Sequence, residues 1–266
     1  APAARVAQIG EDPLYQRYPM RSFRSDLTIV SGTRRLLEAL EAALDERLAS
    51  AETRLADRRA RLAARSAALH AGWDAEIAAA GTAEAITATW LNHALGTVID
   101  ADTVVVNEYA FRQEYCPLAH PASLYSVGPA GGLGWGLPAA LGLKLGMPER
   151  MVLALLGDGA YMFANPTACH FMAASQRLPV LAVIYNNALY GAVRRATLDM
   201  YPAGAAAEAD GRLLAELPNP PFERIVEAHG GYGERVEHPA ELVPALGRAA
   251  EAVRGGRQAL VNVICR

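Results

Sequence analysis

Val152-Leu153-Ala154-Leu155-Leu156 runs straight into Gly157-Asp158-Gly159, and this stretch decides the fold. The apolar run is short, bounded by glycine, and uninterrupted rather than alternating, which suits a strand buried on both faces. A second run, Val180–Tyr185, passes directly into Asn186-Asn187-Ala188-Leu189-Tyr190-Gly191. Outward from these two, Val104–Val106, Leu124–Val127 and Leu260–Ile264 have the same character. Helical stretches at Leu137–Leu145, Pro166–Ser175 and Ala240–Val253 lie between them. The alternation predicts an α/β fold, a mostly parallel sheet with helices on both faces. One helix is expected between the two decisive strands, and a right-handed crossover would bring their exits together.

Ligands of such sheets bind where the strands end, so the residues at the two exits carry the chemistry. Asp158 offers an anionic oxygen, Asn187 an amide oxygen, and Leu189 a loop carbonyl. Hard cations such as Mg²⁺ take oxygen donors of this kind and fill the remaining positions with water or phosphate. The flanking glycines let a diphosphate approach the backbone, and a following helix N-terminus would supply free N–H groups.

Gly157-Asp158-Gly159, twenty-six residues and then Asn186-Asn187 resembles the signature of thiamine diphosphate-dependent enzymes. Acetolactate synthase, benzoylformate decarboxylase and pyruvate decarboxylase represent that family. Gly131-Gly132-Leu133-Gly134-Trp135-Gly136-Leu137-Pro138-Ala139-Ala140 is similar to the glycine-rich segment preceding the signature in the first two. The resemblance implies that Asp158, Asn187 and the Leu189 carbonyl ligate Mg²⁺, and that Gly157, Gly159, Ala160 and Tyr190 border the diphosphate. Leu133 would wedge the cofactor into its bent form, and the Gly131 carbonyl would accept from the pyrimidine amino group. Ala192, Val193 and Ala196 fall where relatives contact substrate, and the small side chains of Ala192 and Ala196 would leave room for a bulky acyl group. Ala160 replaces a serine common in the family, and Asn107-Glu108-Tyr109-Ala110 lacks a hydroxyl pair that benzoylformate decarboxylase places near the phosphate. A dinucleotide site on Gly132-Leu133-Gly134 is the weaker reading, because the third glycine is missing and no strand runs directly into it.

The implied reaction is cleavage or formation of a carbon–carbon bond on a small 2-oxo acid, by a decarboxylase (lyase) or a carboligase of the acetolactate synthase type (transferase). The glutamate that activates the cofactor's pyrimidine ring belongs, in this family, to a separate pyrimidine-binding domain, and no segment here resembles that domain. Glu108 lies near the cofactor edge but in the wrong segment for that role; His120 and His170 are expected to be structural. No catalytic acid or base is therefore assigned. The alternative is a non-catalytic diphosphate-binding relative acting as scaffold or regulator.

Residues 1–32 read as the end of a middle domain, with short strands near Val6–Ile9 and Leu27–Val30. A flavin (FAD), if the protein uses one, would belong to missing parts of that domain. Residues 33–80 contain no proline and carry a stripe of Leu37, Leu40, Leu44, Leu48, Ala51, Leu55, Leu62 and Leu69. They predict a linker helix packed on its own protein, with a coiled-coil partner as the alternative. By the same resemblance, residues 81–266 would form the thiamine diphosphate-binding domain. A net charge of −3 disfavours nucleic acid, and no apolar run reaches the roughly 20 residues of a membrane span. Cys116, Cys169 and Cys265 form no CxxC motif, which fits a reducing, cytoplasmic setting. The shared-site architecture of the family implies a homo-dimer or tetramer.

Overall fold

The computed structural model describes residues 4–18, 23–48, 51–109, 111–126, 128, 131–209 and 215–265. The chain divides into two compact units, Ala1–Leu69 and His70–Arg266.

In the first unit, β1 (Ala7–Gly10) and β2 (Leu27–Val30) pair in parallel, Ala7 beside Leu27 through Gly10 beside Val30. The Asp26 carboxylate accepts a hydrogen bond from the Val6 N–H at 2.8 Å and ties the two strand entries together. The predicted linker helix is two helices, α1 (Thr33–Leu48) and α2 (Glu52–Gly81), and the unit boundary falls within α2. Of the stripe, Leu37, Leu40, Leu44, Leu48, Leu62 and Leu69 are exposed, while Ala51 and Leu55 are half-buried.

The second unit adds α3 (Ala88–Leu95), β3 (Thr103–Asn107), β4 (Leu124–Ser126), α4 (Gly136–Gly146) and β5 (Met151–Gly157). There follow α5 (Asp158–Phe163), α6 (Pro166–Ser175), β6 (Leu181–Asn186), α7 (Gly191–Met200) and α8 (Ala205–Glu208). The chain closes with α9 (Phe222–Ala228), β7 (Tyr232–Val236), α10 (Pro239–Arg254) and β8 (Ala259–Ile264). The six strands form one sheet in the order β4-β3-β5-β6-β8-β7, and every pairing is parallel.

Side chains alternate across a strand, and here both faces are covered. Leu153, Leu155, Leu181, Val183, Val261 and Val263 enter a core that includes Leu91 of α3 and Leu242 and Leu246 of α10. Val152, Ala154, Leu156, Ala182, Ile184 and Leu260 enter the opposite core, with Leu137 of α4, Cys169 of α6 and Phe222 of α9. Double coverage is why the strands read as continuous apolar runs. Val127, expected to end β4, lies outside the described residues.

Two features depart from expectation. Two helices join β5 to β6, because α5 starts at Asp158 itself and stops before Asn165, whose φ of 53° breaks the helical path. Pro166 then opens α6 at a position where its missing N–H costs nothing. The edge strand β7 was not anticipated; its sequence YGERV is polar and only Val236 is buried.

After β3 the chain passes to β4 on one side, then to β5 on the other. Strand order reverses there, and the carboxyl ends of β3 and β5 flank the crevice where such sheets bind ligands. No helix among the described residues is long and apolar enough to cross a membrane.

Candidate metal and anion site at the carboxyl ends of the strands

A cavity of about 270 Å³ opens at this crevice. Gly131, Leu133, Gly157, Asp158, Gly159, Ala160, Asn187, Leu189, Tyr190, Ala192 and Val193 all line it. These residues come from the glycine loop, the end of β5, the first turn of α5, the β6 exit and the start of α7. Ala196, one turn further along α7, does not line the cavity. A larger depression of about 510 Å³ lies at the amino ends of the strands, lined by Asp100, Lys144, Arg177 and Arg254 among others. It mixes both charge signs and includes none of the motif residues.

Asp158 is the buried charge of the site, only 3% exposed. Its Oδ1 accepts from the Gly159 N–H at 2.8 Å, so one of the N–H groups expected to face a ligand is used by the aspartate itself. Its Oδ2 is buried with no hydrogen-bond partner. Burial raises the carboxyl pKa, opposed by the N–H groups of Gly159, Ala188 and Leu189. An orphaned buried carboxylate oxygen costs free energy, and a cation would remove that cost.

The β6 exit is shaped by its asparagines. Asn186 is buried; its Oδ1 accepts from the Ala188 N–H at 3.2 Å, and its Nδ2 donates to Asn262 at 3.0 Å and to Asn219 at 2.8 Å. Asn262 in turn donates to the Glu223 carboxylate at 2.9 Å. Asn187 Oδ1 accepts from the Leu189 N–H at 3.1 Å, while Ala188 between them is held at φ 55°. The amide oxygen of Asn187 and the Leu189 carbonyl thus belong to one braced turn beside Asp158. Gly159 lies against the Tyr190 ring; a Cβ there would sit 2.4 Å from its Cε1.

The donor set fits a hard cation: one carboxylate oxygen without a partner, one side-chain amide and one carbonyl from the same cavity. No group of three or more His, Cys, Asp or Glu side chains able to hold a metal occurs among the described residues.

Four lining residues were assigned no role from sequence: Gly191 at the start of α7, and three with side chains. Tyr109 and Tyr185 stack with ring centroids 4.7 Å apart, and burial raises both phenol pKa values, so both stay protonated at neutral pH. Both follow or sit in strands that end at the cavity, which was the available signal. Glu108 is the third. Its carboxylate accepts from the N–H groups of Gly134, Trp135 and Gly136 at 2.6, 3.1 and 2.5 Å. Both oxygens are engaged by the main chain.

The histidines lie away from the cavity lining. His170 is buried, its Nδ1 2.8 Å from Gln258 Oε1 and its Nε2 2.9 Å from the Tyr161 hydroxyl. Gln258 donates its own amide to the His170 carbonyl, which leaves Oε1 as an acceptor and places the ring proton on Nδ1. His120 is exposed, with Nδ1 2.6 Å from the Pro121 carbonyl.

Residues 108–263 match the family described as thiamine pyrophosphate enzyme, C-terminal TPP binding domain. The chain is 35% identical over 153 residues to acetolactate synthase isozyme 3 large subunit of Escherichia coli K12, covering 58% of this chain and 25% of that protein. It is 33% identical over 175 residues to benzoylformate decarboxylase of Pseudomonas aeruginosa PAO1, covering 62% and 30%. Among solved structures, the thiamine diphosphate-dependent 4-hydroxybenzoylformate decarboxylase of Rhodococcus jostii RHA1 superposes with a TM-score of 0.59 at 26% identity, covering 70% of this chain and 33% of that one. The chain therefore spans between a quarter and a third of the length of these relatives.

Proposed function

Because this chain belongs to the thiamine pyrophosphate enzymes, through their C-terminal TPP-binding domain, we propose that it supplies the diphosphate- and Mg²⁺-binding half of a site that cleaves or forms a carbon–carbon bond on a 2-oxo acid. The observation that carries the proposal is the unpartnered, buried Oδ2 of Asp158 in a cavity that also holds Asn187 and Leu189.

Asp158, the Asn187 amide oxygen and the Leu189 carbonyl would hold Mg²⁺. A single carboxylate leaves the metal with net positive charge, which suits a diphosphate. Gly157, Gly159, Ala160 and Tyr190 would border that diphosphate, and the absent hydroxyl at Ala160 leaves the contact to backbone. Gly131 and Leu133 lie on the loop across the cavity, where the cofactor's rings would rest. Ala192 and Val193, at the start of α7, would shape the acyl pocket; Ala196 would act only on groups reaching beyond the cavity. Thiamine diphosphate, when bound, supplies the electron sink for the bond change. This chain's own residues bind, orient and exclude water, and the two protonated tyrosines at the cavity wall add no charge.

The activating glutamate would come from a pyrimidine-binding domain or subunit, in a dimer or tetramer that closes the cavity. The three-part organisation follows: residues 1–32 ending a middle domain, 33–80 linking, 81–266 binding the diphosphate.

Calorimetric titration of thiamine diphosphate into the longest natural form of this polypeptide, with and without Mg²⁺, tests the proposal. Metal-dependent binding is expected, weakened on the order of 100-fold or more by Asp158→Ala. Absence of binding in folded protein that includes the pyrimidine-binding domain would overturn it and leave the non-catalytic scaffold reading.

A further inference from the structure

Glu108 stands where β3 ends, and its main chain is fixed there: its N–H donates to the Leu155 carbonyl of β5 at 2.9 Å. Its side chain crosses to the glycine loop, where the two oxygens take three consecutive N–H groups from Gly134, Trp135 and Gly136. Those are the free donors that begin α4, and Trp135 at the N-cap makes no side-chain cap bond of its own. A carboxylate 26 to 28 residues away in sequence therefore caps the helix that the local sequence leaves uncapped.

The loop is shaped for this contact. A Cβ on Gly136 would lie 2.8 Å from Glu108 Oε2, so only glycine lets the carboxylate reach the N–H row. Gly134, at φ 89°, is seated from the other side: a Cβ there would come within 2.6 Å of the Phe163 carbonyl at the end of α5. The loop is thus clamped between Glu108 and the helix that begins with Asp158. Gly131 and Leu133, just before the clamp, line the same cavity as the metal donors, and Leu133 is 46% exposed.

We infer that Glu108 is a positioning residue for the ring half of the bound cofactor: its carboxylate holds the loop that carries Gly131 and Leu133, while the diphosphate and metal half stands on β5, α5 and the β6 exit without it. The inference rests on the proposed thiamine diphosphate site. It separates two halves of one cavity by what supports each.

Glu108→Gln keeps the size but turns an NH₂ toward one of the N–H groups, and Glu108→Asp keeps the charge one methylene short. In the longest natural form of the polypeptide, Glu108→Gln should weaken Mg²⁺-dependent thiamine diphosphate binding tenfold or more on the order expected for a lost charge-assisted cap, and leave Mg²⁺–pyrophosphate binding within about twofold. Glu108→Asp should show the same selectivity at smaller size. Equal weakening of both ligands, or of neither, would overturn the inference. Amide hydrogen exchange on the ligand-free protein reads the clamp directly: faster exchange in Glu108→Gln confined to Gly134–Gly136 and the first turn of α4 is expected. Unchanged exchange there, or exchange raised equally across β3 and β5, would sink the clamp. If wild-type protein binds pyrophosphate but not thiamine diphosphate, the functional reading fails, and the exchange result still decides the clamp.

Discussion

Two carboxylates stand at the ends of neighbouring parallel strands, and their fates differ. Glu108, leaving β3, gives both oxygens to three backbone N–H groups of the glycine loop. Asp158, leaving β5, has one oxygen on the Gly159 N–H and the other buried without a partner. The first is consumed by architecture; the second is held in reserve at a cost. What separates them is who claims the donors: the start of α4 gives three N–H groups to Glu108, whereas near Asp158 only the Gly159 N–H is bonded to it and those of Ala188 and Leu189 go to Asn186 and Asn187. A carboxylate at a strand exit is thus a ligand candidate only once the fold has been asked who else claims it.

Removing each group in the ligand-free protein should push stability in opposite directions. Glu108→Ala strands three N–H donors and should cost about 2–4 kcal/mol in urea unfolding. Asp158→Asn should instead stabilise the ligand-free chain by about 1 kcal/mol, since a neutral amide is cheaper to bury than an orphaned anion, even as it removes the metal response. A stabilising Glu108→Ala, or a strongly destabilising Asp158→Asn, would dissolve the contrast.

A third buried group sharpens the comparison through pH. Burial pushes the His170 pKa below its ordinary value, the Gln258 contact opposing and His229 adding, with the Tyr161 hydroxyl on the other nitrogen. The unfolded chain then binds more protons than the folded one as pH falls below about 6.5. The stability held above that pH should decline through acid, and His170→Gln should flatten the slope. This is the smallest expected effect, a fraction of a kcal/mol per pH unit near neutrality. A slope unchanged by the substitution would show that His170 is not the group titrating.

Much of the sheet was legible because burial on both faces leaves little ambiguity: Val152–Leu156 and Val180–Tyr185 are too short for core helices and too apolar for an exposed edge. Edge strand β7 was not, since Tyr232–Val236 alternates weakly and includes the charged, half-buried Glu234 and Arg235. The helix α5 was hidden inside the motif itself, where glycine and aspartate read as loop. At the exits of β5 and β6, that Asp158, Asn187 and Leu189 would line one cavity was legible, because position at a strand end is a local property. Ala196 was placed by the resemblance to relatives, and the cavity stops a turn short of it.

The leucine stripe on α1 and α2 shows the same boundary from the other side. Its 3.6-residue period dictated helix, as it must, since backbone hydrogen bonding and side-chain spacing act over a few residues. Whether Leu37 or Leu62 is covered depends on surfaces remote in sequence, and in this chain they are exposed. By itself, then, the sequence determined the buried strands, the long helices and which residues stand at the strand exits. Only the tertiary structure decided that Glu108 is spent as a cap and that one oxygen of Asp158 remains free. Hydrogen-bond satisfaction of a buried carboxylate depends on donors brought from distant segments, and no local pattern records who arrives.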